Sequence, residues 1–166
     1  MGLRTEVERQ LQALQMNPVF PATLVASDPQ GIDLRAEVTQ ADAMSCALSV
    51  LELQVPALHG AAFDVVKTWA QALSSRITYL LESIGPIEFD PSSGQALIRS
   101  TPPDQLPDGT QYYEIMLSSA SSGSFRLTRQ RSVKGQPGRQ QVEMVLTHEV
   151  FLKLVDDLVG TIPSTP

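Results

Sequence analysis

Residues 32–39, Ile-Asp-Leu-Arg-Ala-Glu-Val-Thr, are the clearest indication of the fold of this 166-residue chain, because apolar and polar side chains alternate along them without a break. That two-residue period is typical of a β-strand that buries one face and exposes the other. Turn-forming sequences lie on both sides, at residues 28–31 (Asp-Pro-Gln-Gly) and 40–42 (Gln-Ala-Asp). The stretch therefore predicts a half-buried strand.

The next apolar segment, residues 43–55, changes phase partway along. Its apolar residues fall into two alternating sets, first Met44, Cys46, Leu48 and Val50, then Leu51, Leu53 and Val55. A β-bulge near Val50–Leu51 would bring both sets onto one face, because a bulge adds one residue to a strand. The alternative is a central strand that is buried on both faces.

Three segments have the spacing of amphipathic helices. Residues 60–83 form the longest predicted helix, and the sequence Ser83-Ile84-Gly85-Pro86 ends it. Its apolar stripe is so wide that we predict Trp69 to be buried. Residues 5–16 form an N-terminal helix, for which Thr5 and Glu8 have capping-box spacing. The C-terminal helix carries an apolar face in ten residues: Val150, Phe151, Leu154, Val155, Leu158 and Val159.

Short strand patterns and turn signals alternate between the last two helices. The strands are predicted at residues 87–90, 96–101, 112–118, 124–133 and 139–147. The sequence therefore predicts one α+β domain over residues 1–166, with 162–166 as a short tail. Its antiparallel meander packs against a long central helix and against N- and C-terminal amphipathic helices.

Composition narrows the class of protein. An apolar fraction of 42% and a charged fraction of 18% are ordinary for a globular protein. The single cysteine, the charged N-terminus and the lack of an 18-residue apolar run favour a cytoplasmic protein with no membrane span. The net charge of −6 disfavours nucleic-acid binding over the whole surface and favours basic partners. No cofactor or metal is expected.

Candidate catalytic residues are few, and each has a structural interpretation beside it. His59 and His148 both precede helices. They predict either a two-histidine site for metal or acid/base chemistry, completed by Glu149, Asp64 or Asp156, or residues that satisfy helix boundaries. Cys46 is either a nucleophile or a small buried apolar residue. Glu88 and Asp90 share one face of a predicted strand. They are either a pair of catalytic carboxylates, as some hydrolases have, or acids that face solvent beside a turn.

Residues 124–141, which we call the basic hairpin, hold five cations and no acid: Arg126, Arg129, Arg131, Lys134 and Arg139. One interpretation is a recognition surface for phosphate, nucleic acid or an acidic protein. The other is a set of cations that keep an exposed sheet edge from pairing with other chains.

The predicted order of elements resembles that of the type III secretion chaperones over residues 5–160, although about two strands are added between Ile87 and Thr147. Residues 140–155 are similar in style to uncharacterised conserved cyanobacterial proteins. The chaperone resemblance implies a homodimer that binds segments of other proteins. The leading hypothesis is a non-enzymatic protein-binding or adaptor-like module, and the alternatives are a nucleic-acid or phosphate binder and a small enzyme using His59 and His148.

Overall fold

The computed structural model of the chain describes residues 2–79, 83–101, 104–119 and 124–163. Three α-helices of 14 residues each occur in these ranges: α1 (Leu3–Met16), α2 (Phe63–Arg76) and α3 (His148–Thr161). The strands are β1 (Ala22–Ser27), β2 (Asp33–Ala41), β3 (Ser45–Gln54), β4 (Ser83–Asp90), β5 (Gln95–Thr101), β6 (Asp104–Leu106), β7 (Gly109–Ser118), β8 (Ser124–Val133), β9 (Gln140–Val142) and β10 (Met144–Thr147). The predicted α+β class with an antiparallel sheet is confirmed.

All ten strands belong to one antiparallel sheet with the main order β1-β2-β3-β8-β7-β5-β4. The centre of the sheet is the junction of β3 and β8, where Leu53 lies opposite Phe125. Beyond that junction β9 pairs with residues 129–131 of β8, and β10 pairs with residues 45–48 of β3. The segment 140–147 is thus one interrupted strand that fills the gap between β3 and β8.

The helices form a layer on one side of this sheet. Helix α3 lies between the other two, α1 contacts β1 and β2, and α2 contacts β4, β5 and β7. The sheet residues beneath the helices, such as Leu34, Leu53 and Phe125, are completely buried in one apolar core. We call this side the covered face. The opposite side, which carries Val25, Glu52, Leu97, Met116 and Arg126, is the open face, and no helix packs on it within the described ranges.

Strand β3 contains the predicted bulge. Its register against β2 skips Ser49, since Val50 pairs with Glu37 while Leu48 pairs with Val38. The extra residue places Leu48 and Leu51 on the same face, where both are fully buried. A bulge is confirmed, but it lies at Ser49 rather than at Val50–Leu51, so Val50 pairs with Glu37 on the open face and does not share the face of Leu48.

The helices differ from the prediction in two respects. The central helix was predicted over residues 60–83, but α2 ends at Arg76, so it is no longer than the others. Its predicted stop signal instead begins strand β4, because Ser83 and Ile84 pair with Thr101 and Ser100 of β5. Helix α1 begins before Thr5 and has no side-chain cap, so the predicted capping box is wrong.

The apolar face of α3 covers the protein's own sheet. Phe151, Leu154, Val155 and Leu158 are at most 1% exposed. That face is therefore not available to a second copy of the chain, and the strongest argument for a homodimer is lost. Trp69 of α2 is buried, as predicted, and its ring lies near Phe125. No helix within the described residues is long and apolar enough to cross a membrane.

Candidate functional site

The cations of the basic hairpin lie in the middle of the sheet. Strand β8 pairs with β7 along its whole length, and on its other side with β3 and then β9. It is therefore not an edge strand, and the edge-protection interpretation of its arginines is wrong. The turn between β7 and β8, residues 120–123, lies outside the described residues.

Three of the five cations are held by neighbouring side chains. Arg129 is 6% exposed on the covered face, and its guanidinium lies 4.3 Å from the centroid of the Tyr113 ring. Arg131 makes two hydrogen bonds to the Asp108 carboxylate, at 3.0 and 3.1 Å. Arg139 binds Glu114 through both guanidinium nitrogens. Asp108 and Glu114 thus neutralise two of the five positive charges, and the Tyr113 ring covers a third.

Arg139 is also exposed but is paired with Glu114, so the two exposed cations that remain are Arg126 and Lys134. The side chains of both lack a hydrogen bond or ion pair to any other residue in the described part of the chain. Arg126 is on the open face between Glu52 of β3 and Met116 of β7, which are its cross-strand neighbours. Its charge is therefore available to a partner, but only beside an acid.

Glu114 is the centre of a polar cluster on the open face. Its side chain is 7% exposed, Arg139 Nη2 donates to its Oε1 at 3.1 Å, and Arg139 Nη1 binds the other oxygen. The same Nη1 donates to the Tyr112 hydroxyl at 3.3 Å. A forked pair of this kind fixes both groups, because carboxylate and guanidinium match in geometry.

A depression of about 280 Å³ lies over this cluster and is open to solvent. It is lined by Glu114, Met116, Arg126, Thr128, Gln130, Arg139 and Gln141. A second depression, of about 240 Å³, shares Met116 and includes Leu97 and Glu88. A third, of about 270 Å³, lies at the other end of the open face beside Val145 and Glu143. The open face thus has shallow, half-apolar hollows, of which the first carries charges of both signs and the other two carry acids only.

The two histidines do not meet. His148 begins α3, and its Nε2 donates to the Ser45 carbonyl at 3.2 Å, at the first residue of β3. His59 follows the other end of β3, at the close of a short 3-10 helix, Pro56–Leu58. Ten residues of strand span about 33 Å, so a shared site is excluded. His148 instead ties α3 to β3, as the helix-boundary interpretation expects.

Cys46 has the character of a buried apolar residue. It is 2% exposed, and burial raises the pKa of its thiol to about 12, with a smaller contribution from the Asp42 carboxylate. The thiolate that a nucleophile requires is therefore disfavoured at neutral pH.

Glu88 and Asp90 each have their own partner. Arg99 approaches Glu88 at 3.6 Å, and the hydroxyls of Ser92 and Ser93 both donate to Asp90 at 2.7 Å. Those hydroxyls lower the pKa of Asp90, so Asp90 is not suited to act as the general acid that a carboxylate pair needs.

Besides Glu114, a second acid that the sequence did not single out is Asp157 in the helix layer. Tyr79 donates to it at 2.6 Å, Lys153 lies 3.3 Å away, and Arg76 lies 3.7 Å away. Burial, then the bond to Asp157, raises the pKa of Tyr79. The cluster joins α2 to α3, whereas Asp156 beside it pairs with Arg4 of α1. Nothing in the sequence indicates that Asp157 is buried, because its partners Tyr79 and Arg76 are distant in the chain.

Within the described residues, no group of three or more histidine, cysteine or acidic side chains is placed to hold a metal ion. No protein-family model, curated protein or solved structure shows significant similarity to the chain.

Proposed function

We propose that this protein is a non-enzymatic protein-binding module that binds its partner on the open face of the sheet. The observation that carries the proposal is the contrast between the faces: a full helix layer covers one, and shallow half-apolar hollows line the other. Partly apolar surfaces with polar rims are typical of protein interfaces.

The other functional hypotheses have less support. An enzyme built on His59 and His148 would need them in one site, and Cys46 has a thiol pKa of about 12. A nucleic-acid binder would need a concentration of free cations, whereas Arg131 and Arg139 are paired with acids. We therefore do not propose either function.

The partner we propose presents a basic, amphipathic segment. On the open face Glu143 has no ion pair to any described residue. Glu52 lies in register between Arg126 and Arg35 without an ion pair to either, and the net charge of the chain is −6. Lysine or arginine side chains would complement these acids, while apolar side chains would contact Met116, Leu97 and Val145. Opposite charges of this kind steer association and select partners.

A chaperone-like or adaptor-like role is the form of protein binding that the resemblance to type III secretion chaperones implies, and we include it in the proposal. A homodimer belongs to the same proposal, with an interface outside the apolar face of α3. A cytoplasmic location also stays a prediction.

Fluorescence anisotropy with two labelled amphipathic peptides of equal length, one rich in lysine and leucine and one rich in glutamate and leucine, tests the proposal. We expect only the basic peptide to bind. Glu52→Lys on the open face should weaken that binding by about tenfold, an effect of the size expected when a charge in an interface is reversed.

Glu8→Lys is the matched control, because Glu8 is exposed on α1 and the change in net charge is the same. Met116→Gln tests the apolar part of the surface without changing its charge and should also weaken binding. Equal losses for Glu52→Lys and Glu8→Lys, or tighter binding of the acidic peptide, would contradict the proposal.

A further inference from the structure

Strand β1 is an edge of the sheet and lacks the usual protection of an edge. Within the described residues it pairs only with β2. Its sequence, Ala-Thr-Leu-Val-Ala-Ser, has no charge and no proline. Edge strands commonly carry charges, prolines or bulges that prevent pairing with other chains. At the opposite edge β4 does carry exposed charges, Glu88 and Asp90.

The backbone of β1 is instead covered by one side chain of α1. The Val25 N–H donates to Gln10 Oε1 at 3.1 Å, and Gln10 Nε2 donates to the Val25 carbonyl. A glutamine amide has the same donor and acceptor as a peptide group, so it takes the place of a neighbouring strand at this residue. Val25 therefore directs both backbone groups away from β2.

Alternate residues of an antiparallel strand direct their backbone groups to the same side. Thr23 and Ser27 thus present their N–H and C=O groups along the same outer edge as Val25. Gln10 occupies the central one of these three positions, and it also hydrogen-bonds Glu6 at 3.2 Å. Glu6 in turn pairs with Arg9, so the amide is held in place from its own helix.

We infer that β1 is a latent pairing edge for β1 of a second copy of this chain, and that Gln10 keeps it closed. The strand is uncharged, so two copies in antiparallel register would meet no like-charge repulsion. The strand also lacks charge, proline and glycine, as segments that self-associate commonly do. The same pairing at β4 would bring Glu88 and Asp90 of both copies together.

Light scattering across a concentration series tests the inference with Gln10→Ala. We expect its molar mass to rise with concentration to about twice the wild-type value, as two β1 edges pair about a two-fold axis. Gln12→Ala is the matched control, since Gln12 lies on the same helix, is exposed and has no hydrogen bond to another described residue. It should behave as the wild type.

A double variant separates edge pairing from partial unfolding. Val25 is 51% exposed, so Val25→Lys puts a charge on the edge without emptying the core. In the Gln10→Ala background it should return the molar mass to the wild-type value. A Gln10→Ala protein that matches the wild type at every concentration, or association that Val25→Lys does not reverse, would overturn the inference.

Discussion

The two faces of strand β8 are stabilised by different interactions. On the covered face Phe125 and Leu127 are fully buried beneath the helices. On the open face Arg126 is exposed, while Thr128 and Gln130 are buried polar residues beside the Glu114–Arg139 pair. Adjacent residues of one strand therefore belong to an apolar core and to a polar network.

This difference shows where change is tolerated. A close-packed apolar core loses stability with any large loss of volume. A polar network on a solvated face loses stability mainly where a buried charge would be left alone. The open face can therefore vary at most positions without unfolding the protein, which suits a binding surface.

The largest effect is expected from a pair of neighbours on β8. Phe125→Ala should lower the free energy of unfolding by about 3–5 kcal/mol, because it leaves a cavity beneath Trp69. Arg126→Ala should change it by no more than about 0.5 kcal/mol, as is usual at exposed positions. Urea unfolding followed by circular dichroism measures both. Similar losses in the two variants would show that the faces are not distinct.

An intermediate effect is expected where the open face buries a charge. Arg139→Ala removes the partner of the buried Glu114 carboxylate and should cost about 1–3 kcal/mol. Arg131→Ala, in which a more exposed ion pair with Asp108 is lost, should cost at most about 1 kcal/mol. If both variants lose the same small amount, the Glu114 pair is only a surface contact.

The smallest effect is expected from Cys46 on the covered face of β3. Because burial raises the pKa of its thiol, Cys46 makes the free energy of unfolding depend on pH only in the alkaline range. The protonated thiol is favoured by the fold, so its contribution is complete below the ordinary pKa of 9.0 and is lost as pH rises toward about 12. We expect the wild type to lose stability between pH 9 and 10, and Cys46→Ala to lose less over that interval.

Tyr79 sets the upper limit of that comparison. Burial raises the pKa of its hydroxyl above the ordinary value of 10.0, so its contribution is lost only at higher pH and in both proteins. The measurement is urea unfolding at intervals of half a pH unit. Parallel curves for the wild type and Cys46→Ala from pH 9 to 10 would show that the thiol is not buried from solvent.

The strands and the core were predictable because their signals are local. Alternation identified β2, and a phase change in the apolar residues located the bulge that the register places at Ser49. The wide apolar stripe around Trp69 predicted its burial. Each of these patterns lies within a few residues of sequence.

The site was not predictable because its contacts join distant segments. Nothing near Arg139 in the sequence indicates Glu114, and nothing near Val25 indicates Gln10. The end of α2 was missed for a related reason: apolar spacing continues beyond Arg76, but Ser83 and Ile84, which were predicted to end the helix, pair with β5. Tertiary contacts often override local preference in this way.

The junction of β3 with β8 also governs the order in which the chain can fold. Strands β1 to β3 are complete early in the sequence. However, residues 51–54 of β3 pair with β8 and residues 45–48 pair with β10, and both of these strands come much later in the chain. Pairings between such distant segments are slow, because the loop between them must close before any contact forms. During synthesis β3 therefore spends a long interval with the edge opposite β2 unpaired, and unpaired strand edges make a nascent chain prone to aggregation.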